Sequence, residues 1–358
     1  MDRYGVIMAG GGGTRFWPLS REKTPKQLLN LSGKDLMVNE AVDRMSAVVE
    51  KDHIFIVTSQ TQSDSMVSAT EGRIPAQNIL AEPSARNTAA CIGYAAMEIT
   101  KKHGDGIMVI TPADHYIEDI PALTDLFNKA IAAAEKDDKL ITIGLKPQFP
   151  STGFGYIRFN KADDNVTKKV VEFKEKPDEE TAKVYVSSGE YVWNSGMFIW
   201  KAGLILQKLK EYVPDIYEDL NTIGKAMRTL QEKSTLLNIY PGIRKISIDS
   251  AVMEPAASNG DVLVIPGDCG WNDVGSWDMM NILHEPDSNG NVLLGDVVGI
   301  NVRDAVIYSS GRTVTALDVD NIVIVETADA VMVCRKDKAQ NVKMIVDALK
   351  NTGRNELL

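Results

Sequence analysis

Apolar residues in the first half of this chain fall into short continuous runs that alternate with spaced stripes. Tyr4 to Ala9 is a strand-length run that stops at four glycines, Gly10 to Gly13. Met37, Ala41, Met45 and Val48 follow at helical spacing, and His53 to Thr58 is strand-like again. A helix is expected from Asn87 or Thr88, either of which can cap it, through Ile99, closed by Lys101, Lys102, His103 and Gly104. Gly106 to Thr111 is a further apolar run, ending in Pro112-Ala113-Asp114. Pro121 opens a helix that lines up Leu123, Phe127, Ala130, Ile131 and Ala134, and Leu140 to Leu145 is another strand. Strands alternating with helices predict an α/β fold: a mostly parallel sheet with helices on both faces, and ligands at the carboxyl ends of the strands. The glycine run and Asp114 both lie at such ends, so they should be neighbours.

The second half has a different texture. Gly153 to about Glu175 is strand-like with Gly and Lys interruptions, Tyr191 to Trp200 is a strand and Lys201 to Tyr212 a helix. These read as a lobe inserted on the same sheet. Beyond His284-Glu285-Pro286, short apolar pieces begin at Val306, Val314, Ile322 and Val331, eight or nine residues apart and separated by Gly, Asp and Asn. That spacing predicts a small β-solenoid-like unit, closed by a helix from Asn341 to Leu349. A chain of 358 residues is more than one core usually organises, and the expected division is residues 1–285 and 286–358.

Charge and composition narrow the partners. Lys and Arg number 39 against 49 Asp and Glu, a formal charge of -10, which argues against nucleic acid. Cys91, Cys269 and Cys334 are far apart and form no C-x-x-C pair, so free thiols in a reducing compartment are expected. The N-terminus lacks a signal-peptide pattern and no stretch is apolar for a membrane-spanning length. No membrane partner and a cytoplasmic location are expected.

The loop after the first strand carries the chemistry. Glycines at Gly10, Gly11, Gly12 and Gly13 let backbone N–H groups approach phosphate oxygens, and Arg15 and Lys26 add fixed positive charge. A Walker A loop fails because Arg15 stands where its second glycine should be. A Rossmann loop starting at Gly11 meets Phe16 at its last glycine position, and Pro18 and Pro25 follow where a helix should already run.

At this loop the sequence resembles the sugar nucleotidyltransferases, whose signature is G-x-G-x-R-x-x-P-L-(x)n-P-K. The longer string GGGGTRFWPLSREKTPKQLL resembles the mannose-1-phosphate guanylyltransferases, and so do AEPSARNTA from Ala81, TPADH from Thr111, FKEKP from Phe173, WNSGMF from Trp193 and GWNDVGSW from Gly270. The resemblance implies a Rossmann-like nucleotidyltransferase fold followed by a left-handed β-helix. It implies a reaction in which GTP and α-mannose 1-phosphate give GDP-mannose and diphosphate, with Mg2+ as cofactor. It places Ala9, Gly10 to Gly13, Thr14, Arg15, Lys26, Pro112 and Asp114 on the nucleotide, and Glu82, Arg86 and Asn87 on base and ribose. It puts Gly153, Glu175, Lys176, Asn194 and Asp273 on the sugar phosphate and Asp114 and Asp273 on the metal. Arg15, Lys26, Lys176 and Asp273 are the implied catalytic set, and a homodimer is the implied assembly.

Each residue also has a plainer reading: Asp114 as a helix cap, Asp273 and Asn194 as turn residues, Lys174-Glu175-Lys176 as a solvated charge run. Trp17, Trp271 and Trp277 suit site or core equally, and His115 and Cys269 are taken as bystanders. Where the family commonly shows S-I-D-Y-A-V-M-E-K, Ser247 to Pro255 reads SIDSAVMEP, which puts local contacts or sugar preference in question. The C-terminal phosphomannose isomerase domain that many bacterial relatives carry is not expected within these residues. The alternatives are a relative serving another nucleotide or sugar, and a silent regulatory subunit; the latter is disfavoured because Arg15, Lys26, Asp114, Lys176 and Asp273 are all present.

Overall fold

The computed structural model describes residues 1–358. Its strands are β1 (Arg3–Ala9), β2 (Ile54–Ser59), β3 (Ile79–Glu82), β4 (Ile107–Pro112), β5 (Tyr116–Ile117), β6 (Leu140–Leu145), β7 (Tyr156–Phe159), β8 (Lys168–Lys174), β9 (Tyr191–Lys201), β10 (Val262–Gly267) and β11 (Trp271–Asn272). Nine of them form one sheet in the order β3-β2-β1-β4-β9-β6-β10-β8-β7, while β5 and β11 pair with each other. β1 is parallel to β2 and β4, β2 to β3, and β6 to β10; β9 runs against β4 and β6 and closes on β7. The sheet is therefore mixed, with the parallel portion that the alternating pattern predicts.

Both faces are covered, and adjacent residues of each strand serve opposite faces. The helices are α1 (Met37–Met45), α2 (Ser63–Ala69), α3 (Asn87–His103), α4 (Ile120–Lys136), α5 (Glu179–Ser188), α6 (Ala202–Tyr212) and α7 (Pro214–Ala226); on β4, Met108 and Ile110 face α3, α6 and α7, while Ile107 and Val109 face α1 and α4. The expected capping of α3 is met differently. Asn87 takes a left-handed backbone, φ 66°, and the Thr88 hydroxyl accepts from the Ile248 N–H at 2.8 Å. The first turn of α3 is thus tied to the Ile246–Ile248 segment, while Asn87 Oδ1 accepts from the Thr88 N–H at 2.8 Å.

The last part of the chain coils as β12 (Val292–Leu294), β13 (Val297–Arg303), β14 (Val306–Ser309), β15 (Val314–Asp320), β16 (Ile322–Glu326) and β17 (Val331–Arg335). Four of these begin at the residues the apolar spacing marks. The rungs β12–β14–β16 and β13–β15 are parallel, as a solenoid requires. The final pair, β16–β17, is antiparallel, because a turn closed by the Thr327 N–H on the Ala330 carbonyl reverses the chain. A 3-10 stretch, Lys336–Val342, then leads into the last helix, αC (Lys343–Asn351).

The solenoid does not hang free. One core contains Phe16, Trp17, Leu29, Val274, Trp277 and Met280 from the first 285 residues together with Val292, Val306, Val323, Val325, Val342 and Val346 from the rest. No helix is long and apolar enough to cross a membrane.

Candidate active site

Glycine is required where the loop turns back on itself. Gly13 has φ 58°, and a Cβ there would sit 2.3 Å from the Lys26 Cβ. Gln27 Nε2 donates to the Ala9 and Gly11 carbonyls at 2.6 and 3.0 Å, and the Ser20 hydroxyl to the Gly13 carbonyl at 2.8 Å. The loop is therefore held by side chains behind it, leaving its front free.

Carboxyl ends of β1 and β4, with the segment after β11, enclose a cleft of about 390 Å³ lined by Gly13, Thr14, Arg15, Lys26, Asp114, His115, Asp273, Gly275 and Lys343. Lys26 is buried and donates to the Asp114 carbonyl (2.8 Å), the Asp114 carboxylate (3.0 Å) and the Asp273 carbonyl (2.6 Å). Burial opposes ionisation of Asp114, but Lys26 and His115 outweigh it and hold the carboxyl below its usual range. Asp273 shifts the other way: burial raises it, and the neighbouring Asp114 charge adds to that. Its Oδ1 is buried with no hydrogen-bond partner. Two carboxylates of opposite shift face one cleft, and one carries an unpartnered oxygen; this donor set fits a hard divalent cation completed by phosphate oxygens. His115 lines the cleft rather than standing outside it, with Nδ1 accepting from Trp271 Nε1 at 3.0 Å. Burial, with Lys26 and Arg44 nearby, lowers its pKa to about 4, so the ring is neutral near pH 7.

Asp273 stands on a strained backbone. Val274 next to it is β-branched, fully buried and at φ 42°. Its packing in the shared core and the Val274 N–H bond to Asn272 Oδ1 at 2.7 Å keep it there.

A second cluster lies on the far half of the sheet. Glu175 and Lys176 pair at 3.0 Å, with Lys176 in a left-handed backbone, φ 47°. Asn194 of β9 donates from Nδ2 to Asp249 at 2.8 Å and accepts from the Gly196 N–H at 3.2 Å. Of Gly153 and Gly155, the latter packs against this cluster: a Cβ on Gly155 would meet Glu175 Oε2 at 2.6 Å, whereas Gly153 sits in an exposed turn bonded to Ser151. Asp249 is the residue that motif reading left without a role. It opens a π-helical turn, Asp249–Met253, and burial plus the Glu175 charge raise its pKa to about 6 despite the Asn194 bond. The two departures from the family pattern make no hydrogen bond to the Glu175, Lys176, Asn194 or Asp249 side chains. Ser250 is exposed and bonded only to Ser247, and Pro255 occupies the first turn of the helix Glu254–Ser258, where proline is tolerated.

At the end of β3, Glu82 is buried beside the loop: a Cβ on Gly10 would meet its Oε2 at 3.2 Å, while Oε1 accepts from the Tyr240 hydroxyl. Burial lifts Glu82 to about 7, against the Tyr240 bond. Arg86 does not join it; its guanidinium is committed to the Pro241 carbonyl and Ser84. Asn87 is exposed at the start of α3, and Pro112 ends β4 level with Met8.

A glycine loop at the end of β1, paired carboxylates beside it and this sheet order define the class. Residues 4–287 match the Nucleotidyl transferase family, and residues 295–349 match the MannoseP isomerase/GMP-like beta-helix domain. The mannose-1-phosphate guanylyltransferase of Escherichia coli K12 is 38% identical, covering 99% of this chain and 74% of that protein. The alginate biosynthesis protein AlgA of Pseudomonas putida is 38% identical over 98% of this chain and 72% of its own length. A solved structure described as a mannose-1-phosphate geranyltransferase from Thermus thermophilus is 30% identical with a TM-score of 0.87, covering 98% of this chain and 100% of that one. The chain belongs to the mannose-1-phosphate guanylyltransferase family, and it is a nucleotidyltransferase.

Proposed function

We propose that this enzyme joins GTP to α-D-mannose 1-phosphate, releasing diphosphate and forming GDP-mannose. The observation that carries the reading is the convergence of Arg15, Lys26, Asp114 and Asp273 on one cleft at the end of the glycine loop, with Asp273 Oδ1 buried and unpartnered. The substrate pair follows the names of the relatives.

The nucleophile is a sugar-phosphate oxygen that is already anionic, so no general base is needed; neutral His115 fits that. One phosphate oxygen attacks the α-phosphorus of GTP, and the bond to the β-phosphate oxygen breaks in line. Loop N–H groups and Arg15 hold the triphosphate. Lys26, anchored on Asp114 and on the Asp273 carbonyl, fixes the distance between the two carboxylates. Asp114 and Asp273 would hold Mg2+, which when bound offsets phosphate charge as the leaving group forms. Lys176 neutralises the incoming sugar phosphate, while Glu175 and Asn194, backed by Asp249, receive the sugar hydroxyls. Glu82 Oε2 accepts from the guanine edge.

A homodimer and a cytoplasmic location belong to the same proposal. The first is supported by Val298, Ile300 and Leu317, an exposed apolar row on the solenoid in which Ile300 pairs with Leu317. The second is supported by three free cysteines. A diphosphate-release assay across nucleoside triphosphates and hexose 1-phosphates tests the substrate assignment. GTP with mannose 1-phosphate should give the highest kcat/KM; another pair exceeding it would sink the assignment.

A further inference from the structure

One wall of the phosphate cleft comes from the C-terminal unit: Lys343, the first residue of αC, lines it together with Arg15, Lys26, Asp114 and Asp273. The helix is firmly seated. Lys343, Val346 and Lys350 fall on one face at i, i+3 and i+7. Val346 is buried in the core it shares with Phe16 and Trp17. Lys350 enters a second groove, beside Gly10 and Gly12, and pairs with Glu22 at 3.4 Å. Around αC, Trp17 Nε1 donates to the Leu357 carbonyl at 2.8 Å, and Gln340 Nε2 donates to the Ser276 hydroxyl at 2.6 Å. The C-terminal unit thus grips both the glycine loop and the Asp273 loop and brings a lysine between them.

That lysine is uncommitted. Lys26 is engaged by Asp114 and by the Asp273 carbonyl, and Arg15 reaches the Gly275 carbonyl at 3.4 Å. The Lys343 side chain, exposed at the cleft wall, makes no hydrogen bond and no ion pair. An ammonium without a counter-charge, facing a cleft built for polyphosphate, is suited to a phosphate oxygen. We propose that Lys343 binds the β- and γ-phosphates of the nucleoside triphosphate and the diphosphate they become, so that the C-terminal unit supplies part of the leaving-group site. This rests on the nucleotidyl-transfer reading above.

The test compares wild type with Lys343→Gln and Lys343→Arg, by kinetics in both directions and by calorimetric titration of magnesium diphosphate. Lys343→Gln should raise KM for GTP, KM for diphosphate in the reverse reaction and the Kd of diphosphate about tenfold, the size of a charge-assisted bond. KM for mannose 1-phosphate and for GDP-mannose should stay unchanged, as should the melting temperature, and Lys343→Arg should recover most of the loss. Unchanged diphosphate affinity in Lys343→Gln would overturn the proposal. So would equal losses for all four substrates with a lowered melting temperature, the mark of a structural role. A wild-type enzyme that released no diphosphate from GTP and mannose 1-phosphate would defeat the underlying reading instead; the titration would still decide Lys343.

Discussion

The two ends of the site are built in different ways. At the proposed phosphate end, Arg15 and Lys26 sit in short 3-10 turns, Thr14–Phe16 and Lys26–Leu28, and Asp114 and Asp273 on loops; the segments bearing Arg15 and Asp273 pack against the solenoid through Phe16, Trp17, Val274 and Trp277. At the proposed sugar end, Asn194 stands inside β9, level with Gly144 of β6, and Glu175 directly follows β8. The sheet ladder positions Asn194 and ends one residue before Glu175, and neither residue belongs to the core shared with the solenoid. The contrast gives the C-terminal unit a specific task. It holds the charged, strained loops in place, so damage to it should be felt by the nucleotide before the sugar.

The largest effect is expected at the unpartnered carboxylate. Asp273→Ala should lower kcat by about 10²-fold or more, the scale of losing one electrostatic contact to a developing charge. Its melting temperature should hold, since Oδ1 has no protein partner to lose; full activity in this variant would remove Asp273 from the metal and the phosphates. Next comes the shared core. Trp277→Ala should cost about 3–5 kcal/mol in denaturant unfolding and, in the surviving fold, raise KM for GTP more than KM for mannose 1-phosphate. Equal rises would erase the distinction between the two ends.

Asp249→Asn probes the sugar end, and about a tenfold rise in KM for mannose 1-phosphate is expected, with GTP spared. In wild type the same KM should climb as pH falls through about 6, where Asp249 takes up a proton, and the variant should lack that limb. Glu82 gives a smaller signal, read in stability. Its folded pKa, about 7, lies above the ordinary 4.5, so the folded state holds the proton more tightly. The resulting stabilisation is present below about pH 4.5 and is lost as pH rises to about 7. Chemical unfolding of Glu82→Gln across that window should show a flatter profile than wild type. The smallest kinetic effect is expected from Ile300→Glu with Leu317→Glu, which should yield monomers in sedimentation with turnover near wild type. A persisting dimer would move the interface elsewhere.

How much of this could be read in advance depended on whether a residue's role is local. The alternation of apolar runs and stripes marked β1, β2, β4 and β6, and the eight-to-nine-residue spacing marked four solenoid strands at their first residues. These are short-range patterns. Arg15, Lys26, Asp114 and Asp273 were legible because each sits in a dense motif whose residue types suit phosphate and metal. Asp249 was not: it is an acid in an apolar segment, and only the π-helical turn brings it to Asn194. Lys343 carries no local signal at all, since its meaning comes from a core formed by residues some three hundred positions apart. The base side shows the converse. Motif order put Glu82 and Arg86 together, but the Tyr240–Pro241 turn takes the Arg86 guanidinium away.

The most direct test follows the α-phosphorus. Enzyme given mannose 1-phosphate and GTP labelled at the α-phosphate, then in a parallel reaction at the γ-phosphate, should place the α label wholly in the sugar nucleotide and the γ label wholly in diphosphate. An α label found in released phosphate or diphosphate, or a γ label found in the sugar product, would contradict transfer of a guanylyl group at this cleft.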